Sequence, residues 1–502
     1  MPAVEGTIDL SAPLRSADLH RAAAPVSVVV DASVRDRVER GRGFLRDVRQ
    51  EERPVYGATT GFGALVGFGA LVGFAGREGE ADQCDNTLAH LGAGQGPDLA
   101  HDVSRAAILV RTWSLAQGAS GVSAHVVDGL AAMFTTTFVP AIPRYGSVGA
   151  SGDLIPLAYA AQALRGRGQA YLGDSRMPAA EALRHAGLTP LTLDGRDALA
   201  LVNGTSLTTA ATALALDSVR TSHRALQGLT CLLVDLLGCD PGFLHPRLLG
   251  AYGHPGAIDV ADGMRKTLAG TLPAGTRPLQ EPYSIRCSPQ LLGAAEDALR
   301  YVDGVVAADL SSVSDNPLLF PDDDLVVHGG NFFGQPAAFA ADVLAMVTAQ
   351  LGNLAERQLD LLVDPARNGG LPPMLAAGPG RQHGMQGVQL ATTAFVAEIR
   401  RAAVPASVQS LPTNLHNQDV VPFGTQAALR AYDMAELLRL LCGSLAVGLR
   451  QAAHVGARRP TASGCAALLD TLVEAIPAVD PDRALDADVR KAAELLTATL
   501  PR

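Results

Sequence analysis

Residues 147–157 read SVGASGDLIPL, and the tripeptide Ala150-Ser151-Gly152 inside this run can do chemistry on itself. In a sharp bend the Gly152 amide nitrogen can reach the Ala150 carbonyl carbon, because glycine has no side chain to block the approach. Ring closure with loss of water, then loss of the Ser151 hydroxyl, leaves an imidazolone bearing an exocyclic methylidene. That group is a strong electrophile made without any added molecule. The same three residues also make ordinary turns, so the tripeptide alone leaves both readings open.

Seven further stretches accompany it along the chain. They are VYGATTGFG (55–63), AHLGAGQG (89–96), LVNGTS (201–206), QEPYSIRCSPQ (280–290), SDNPL (314–318), GGNFFGQP (329–336) and LPTNLHNQDVVPFG (411–424). In this order, and with GASGDLIPLAY at 149–159, they resemble the aromatic amino acid lyase family, which includes the histidine, phenylalanine and tyrosine ammonia-lyases. The resemblance implies that Ala150-Ser151-Gly152 cyclises autocatalytically to 4-methylideneimidazole-5-one. It also implies a mainly α fold of the ammonia-lyase (fumarase/aspartase-like) type, with an N-terminal cofactor-bearing region and a central bundle of long helices. A homotetramer with active sites shared between subunits belongs to the same expectation. The extra shielding domain of eukaryotic members has no counterpart in these 502 residues.

The chemistry explains why such residues would be needed. Ammonium is a poor leaving group, and the β-proton of an aromatic amino acid is scarcely acidic. An electrophile that captures the amine and a positioned base that takes the proton answer these two obstacles. Pyridoxal phosphate would need a Schiff-base lysine. Lys266 and Lys491 are the only lysines, and neither sits in a recognised motif. Neither pyridoxal phosphate nor a metal is expected, and no CxxC or HExxH spacing occurs.

Roles carry over by resemblance, each beside a plainer alternative. Tyr56 matches a lid tyrosine that serves as general base; the alternative is a tyrosine packing under a loop. Arg286 matches the residue that binds the substrate carboxylate, for which a guanidinium fork is suited; the alternative is a surface ion pair. Tyr283 and Gln280 match positions beside the cofactor. Asn203 matches a hydrogen-bonding partner of the imidazolone or substrate; the alternative is a cap on the helix that follows. Phe332 and Asp153 match positions that promote ring formation, and Asp153 also suits a helix N-cap. Gln418 matches a site facing the substrate amine.

His90-Leu91 is the position that separates substrates. Histidine-specific relatives carry Ser-His here, phenylalanine-specific ones usually Phe-Leu, and His-Leu resembles the tyrosine ammonia-lyases. An imidazole can hydrogen-bond a phenol, and a site built to do so rejects the analogue without a hydroxyl. The alternative is a core histidine with satisfied partners. Gln418 stands where histidine-specific members have glutamate, which disfavours imidazole substrates. The expectation is therefore an L-tyrosine ammonia-lyase releasing the phenylpropanoid acid trans-p-coumarate. A tyrosine 2,3-aminomutase, a phenylalanine-preferring lyase and an inactive helical scaffold are the rivals. Phe333, where many relatives have histidine, departs from the family pattern.

The rest of the chain must position these residues. Apolar residues make up 48% and aromatic residues only 4%, with Ala and Leu abundant, which favours packed helices. Residues 206–238, 337–363 and 426–455 carry apolar side chains every three or four positions and predict long, largely buried helices. Gly238 suits the stop of the first. Residues 1–205 form an expected N-terminal domain carrying the lid loop and the cofactor, and 206–502 the bundle. The hexapeptide GFGALV occurs at 61–66 and again at 67–72, either as a tolerated loop duplication or as a lengthened lid. Net charge is −10, and the 38 arginines left when the two lysines are taken from 40 basic residues are scattered, which argues against nucleic acid. Six dispersed cysteines and an N-terminus without a signal pattern suggest a cytoplasmic protein, and no uninterrupted apolar run suggests a membrane span.

Overall fold

The computed structural model describes Val4, residues 6–58, residue 60 and residues 77–499. The duplicated hexapeptide lies outside the described residues. Helices dominate, and the three long periodic stretches are helices Ser206–Leu237, Gln335–Val363 and Gly424–Val455. A fourth long helix, Ser288–Asp309, follows the YSIRC motif. The first of these ends as the sequence predicts. Gly238 takes a positive φ of 66°, its N–H donates to the Asp235 carbonyl at 3.0 Å, and the Cys239 N–H reaches the Val234 carbonyl at 2.9 Å. These are the paired bonds of a glycine stop.

By length and composition, 197–237 and Gln335–Val363 are apolar enough to cross a membrane. The most apolar window of the first is fully buried and that of the second 67% buried, with Phe339 and Met346 of the second helix exposed.

The chain forms two compact units, each discontinuous in sequence. The first comprises Met1–Leu214, Gly304–Asp342 and Pro405–Leu429; the second comprises Ala215–Asp303, Val343–Val404 and Arg430–Arg502. The sequence reading divides the chain once, between 205 and 206. Four of the five unit boundaries fall within the long helices, each of which gives residues to both units, and the fifth lies between Val404 and Pro405.

The first unit holds all the described strands, and these are short. Thr7–Asp9 pairs in parallel with Ser27–Val29, and Gln95–Asp98 runs antiparallel to Pro143–Tyr145. Phe138–Pro140, Gln169–Leu172 and Ser175–Pro178 form an antiparallel triplet. Leu318–Phe320 and Leu325–Val327 form a hairpin. Leu319 of this hairpin joins Leu45, Val48, Val55 and Ala58 in a buried cluster, which anchors the residues on either side of Tyr56. The described part of the second unit is helix and loop. Inside it, Gln358 Nε2 donates to Thr230 Oγ1 and to the Ser284 carbonyl, both at 2.9 Å, and so holds the short helix Tyr283–Arg286.

Candidate active site

The Ala150-Ser151-Gly152 run is bent back on itself. Gly149 and Gly152 have φ of 71° and 75°, a region open to glycine and strained for other residues, and they face each other across a single bridge. A β-carbon on Gly152 would lie 2.3 Å from the Gly204 carbonyl oxygen, so only glycine fits. The next amide, that of Asp153, donates to the same oxygen at 2.7 Å. Helix Leu154–Leu164 begins there, which ties the bend to a rigid element.

Asp153 is fully buried, yet its carboxylate is surrounded by donors. Oδ1 accepts from Thr425 Oγ1 at 2.6 Å, Thr208 Oγ1 at 2.9 Å and Ser147 Oγ at 3.2 Å; Oδ2 accepts from the Thr208 amide at 2.9 Å. Burial pushes its pKa above the ordinary carboxylate value, and the Thr425 and Thr208 hydrogen bonds only partly oppose this. The helix-cap alternative takes an unexpected form. Asp153 occupies the N-cap position of its own helix, but its side chain does not cap it. The carboxylate instead caps the first turn of Ser206–Leu237 through the Thr208 amide.

Asn203 and Gly204 form the opposite wall. Asn203 ends helix Asp197–Val202 and donates from Nδ2 to the Ser151 carbonyl at 2.9 Å. It is 3% exposed, and its Oδ1 has no hydrogen-bond partner among the described residues. Behind Gly204 stands Arg111, whose Nη1 would lie 2.3 Å from a β-carbon there. Arg111 donates to the carbonyls of Ala200 and Ser314, the latter at 2.6 Å, and meets Asp315 at 3.4 Å. Arg196 donates to the other Asp315 oxygen at 2.8 Å and to the Ser120, Asn316 and Pro317 carbonyls. This buried Arg–Asp–Arg group holds the SDNPL segment beside the Asn203-Gly204 turn. Ser314 Oγ extends the group, accepting from the Thr205 amide at 3.1 Å and donating to the Asn331 carbonyl at 3.0 Å. Half-buried Phe332 follows in the turn that starts helix Gln335–Val363.

Gln418 closes the group. Its Nε2 donates to Ser151 Oγ at 2.8 Å, while its Oε1 accepts from Thr413 Oγ1 at 2.5 Å. Thr413 and Gln418 also exchange backbone bonds, at 3.0 and 3.4 Å. Between them Asn414, Leu415 and His416 have φ of 52°, 53° and 62°. Three successive left-handed residues other than glycine store roughly 1–2 kcal/mol each, strain of a kind that clusters at functional sites.

The remaining expected residues are placed as follows. Tyr56 is half-buried, and its amide donates to His328 Nε2 at 3.1 Å. Burial and nearby Arg196 pull the His328 pKa down, in keeping with a ring nitrogen that must stay unprotonated to accept. His90 ends helix Arg77–His90; it is exposed, with Nδ1 3.0 Å from the Asn86 carbonyl, and is therefore no core histidine. Leu91 beside it is buried. Gln280, Tyr283 and Arg286 stand in the second unit. Tyr283 is 71% exposed, and the Arg286 guanidinium lies 4.7 Å from the centre of its ring. Arg286 Nε is buried without a hydrogen-bond partner, and no ion pair of Arg286 is found among the described residues. The surface ion pair considered for it is therefore not seen there.

Hydrogen bonds thus gather Ala150–Asp153, Asn203 and Gln418 in one place. They also gather residues that sequence reading did not single out: Ser147, Thr208, Thr425, Thr413, Arg111, Arg196 and Asp315. Three features fit the ring that the tripeptide would form. The bend is in place, Gly152 is packed so that no side chain is tolerated, and the unpartnered Asn203 Oδ1 adjoins Ser151.

A model of the aromatic amino acid lyase family matches residues 14–474. A histidine ammonia-lyase of Symbiobacterium thermophilum is 36% identical over 473 residues, covering 93% of this chain and 92% of its own. Among solved structures, a tyrosine aminomutase from Streptomyces globisporus is similar with a TM-score of 0.90 at 30% identity, over 98% of this chain and 97% of that one. A histidine ammonia-lyase from Trypanosoma cruzi is similar with a TM-score of 0.89 at 26% identity, over 98% and 93%.

Proposed function

The chain belongs to the aromatic amino acid lyase family and is a carbon–nitrogen lyase, and from that premise we propose that its substrate is L-tyrosine and its products trans-p-coumarate and ammonia. One observation carries the choice of substrate. His90 Nδ1 lies against the Asn86 carbonyl and so holds the hydrogen of the neutral ring. Nε2 is then an acceptor, the complement of a phenol O–H. Phenylalanine has no such donor.

The ring from Ala150-Ser151-Gly152 would be held by Asn203 and Gln418, and when formed it supplies the electrophile that captures the substrate amine. The other residues bind and move the proton. Arg286 takes the substrate carboxylate; its lack of an ion pair among the described residues supports that role. Asn203 Oδ1, buried and without a hydrogen-bond partner among the described residues, is available to an N–H of the substrate. Tyr56 takes the β-proton onto its phenolate oxygen. Gln280, Tyr283, Leu91 and Phe332 shape the space around the substrate, and Asp153 promotes ring formation.

We further propose a cytoplasmic homotetramer with shared active sites. Val408, Leu411, Leu415 and Val420 are 58–74% exposed within one short segment, which supports burial against another copy. All six cysteines are free thiols, which supports a reducing compartment.

The test is to incubate the purified protein with L-tyrosine and identify the product. Accumulating coumarate is the expected result. β-Tyrosine as the main product would reassign the enzyme as an aminomutase, the reading favoured by its likeness to the Streptomyces globisporus structure. Turnover of histidine alone would overturn the reading of His90. His90→Phe is expected to shift the ratio of kcat/KM for tyrosine over phenylalanine toward phenylalanine by about 10- to 100-fold. An unchanged ratio would remove His90 from the substrate site.

A further inference from the structure

We propose that Gln418, oriented by Thr413, assists the loss of the Ser151 hydroxyl during ring formation, before it ever meets substrate. This rests on the reading that Ala150-Ser151-Gly152 cyclises. The side-chain amide of Gln418 has one donor end and one acceptor end. Thr413 Oγ1 occupies the acceptor end at 2.5 Å, so the donor end faces Ser151 Oγ at 2.8 Å. The oxygen that receives this bond is the one that must depart.

The step balances without any added reagent. The proton leaves Ser151 Cα, its electron pair forms the Cα–Cβ double bond, and the Cβ–Oγ bond breaks. The proton and the hydroxyl together make one water. Negative charge develops on Oγ as its bond lengthens, and an N–H aimed there stabilises that charge more than it stabilises the intact serine. Asn203 meanwhile holds the Ser151 carbonyl at 2.9 Å, which keeps the residue in place from the other side. The strained turn at Asn414–His416 fits this account, because it presents Gln418 from a loop closed by Thr413 itself. Once Oγ has gone, the Gln418 N–H has lost its partner and becomes free for the substrate.

The intact mass of the freshly made protein tests this independently of turnover. Wild type is expected to be lighter than its encoded mass by two waters, and Ser151→Ala to stay at or above the mass expected after one loss. If wild type itself shows no loss, the ring reading fails and this proposal with it. With a matured wild type, Gln418→Leu and Thr413→Val are each expected to lose the second water at least about 10-fold more slowly in a time course after cell-free synthesis. Circular dichroism of both variants should match wild type. Gln418→Glu can donate only when protonated, so its water loss should slow as pH rises while that of wild type does not. Maturation of Gln418→Leu and Thr413→Val at the wild-type rate would overturn the proposal, whatever their activity toward tyrosine.

Discussion

Ser151→Ala is expected to keep its helices and lose its turnover by on the order of 10³-fold or more. The alanine retains the β-carbon but has no hydroxyl to lose, so no methylidene can form. The structural cost is small. Ser151 is only half-buried, and its hydroxyl accepts a hydrogen bond from Gln418, so stability should change by about 1 kcal/mol or less. Helical content by circular dichroism, an unfolding curve and product analysis on the same sample separate the two effects. Turnover of tyrosine by the variant within about 10-fold of wild type would sink the claim that this tripeptide supplies the electrophile.

Asp315→Ala is expected to do the reverse and damage the fold. Arg111 and Arg196 share this one carboxylate, and the three side chains are 0–2% exposed. Its removal leaves two guanidiniums close together in a site closed to bulk solvent. Breaking a buried pair in this way costs about 3–5 kcal/mol. The damage should extend to catalysis, because the Arg111 guanidinium backs directly onto Gly204, which in turn packs on Gly152. Asp315→Asn keeps the shape and one acceptor and should be milder. The denaturant midpoint at constant m-value reads the effect. A shift of less than about 1 kcal/mol for the alanine variant would mean that the backbone carbonyls around the two arginines suffice.

Much of this site is legible in the sequence, for a definite reason. Ala150–Asp153, Asn203 and Gln418 lie in short runs rich in glycine, proline and amides, unlike the apolar periodic stretches around them. The long helices and the Gly238 stop follow from spacing and backbone freedom alone. What escapes is whatever depends on distant segments meeting. Arg111 is visible only as a charge inside the apolar run ILVRTWSL, and nothing there names Ser314 or Asp315 as its partners. Thr208 and Thr425 look like ordinary helix-start residues until Asp153 is seen between them. The caps expected of Asn203 and Asp153 show the same limit. Each has a short polar side chain that suits a local cap, yet each reaches across the chain instead. His90 ends its helix exposed, which removes the core alternative; spacing carries no information about which surface a helix end meets.

The first unit is assembled from three pieces of the chain, and this has a consequence for synthesis on the ribosome. Ala150-Ser151-Gly152 emerges early, but Gln418 and Thr425 are translated 267 and 272 residues after the groups they bond. At roughly 5–20 residues per second, that is a delay of about 15 to 50 seconds. During that interval the nascent chain carries the tripeptide without the donors that complete its surroundings. On the proposal made for Gln418, a chain that stops before residue 405 should complete the electrophile more slowly than the full chain, because it lacks the donor to Ser151 Oγ.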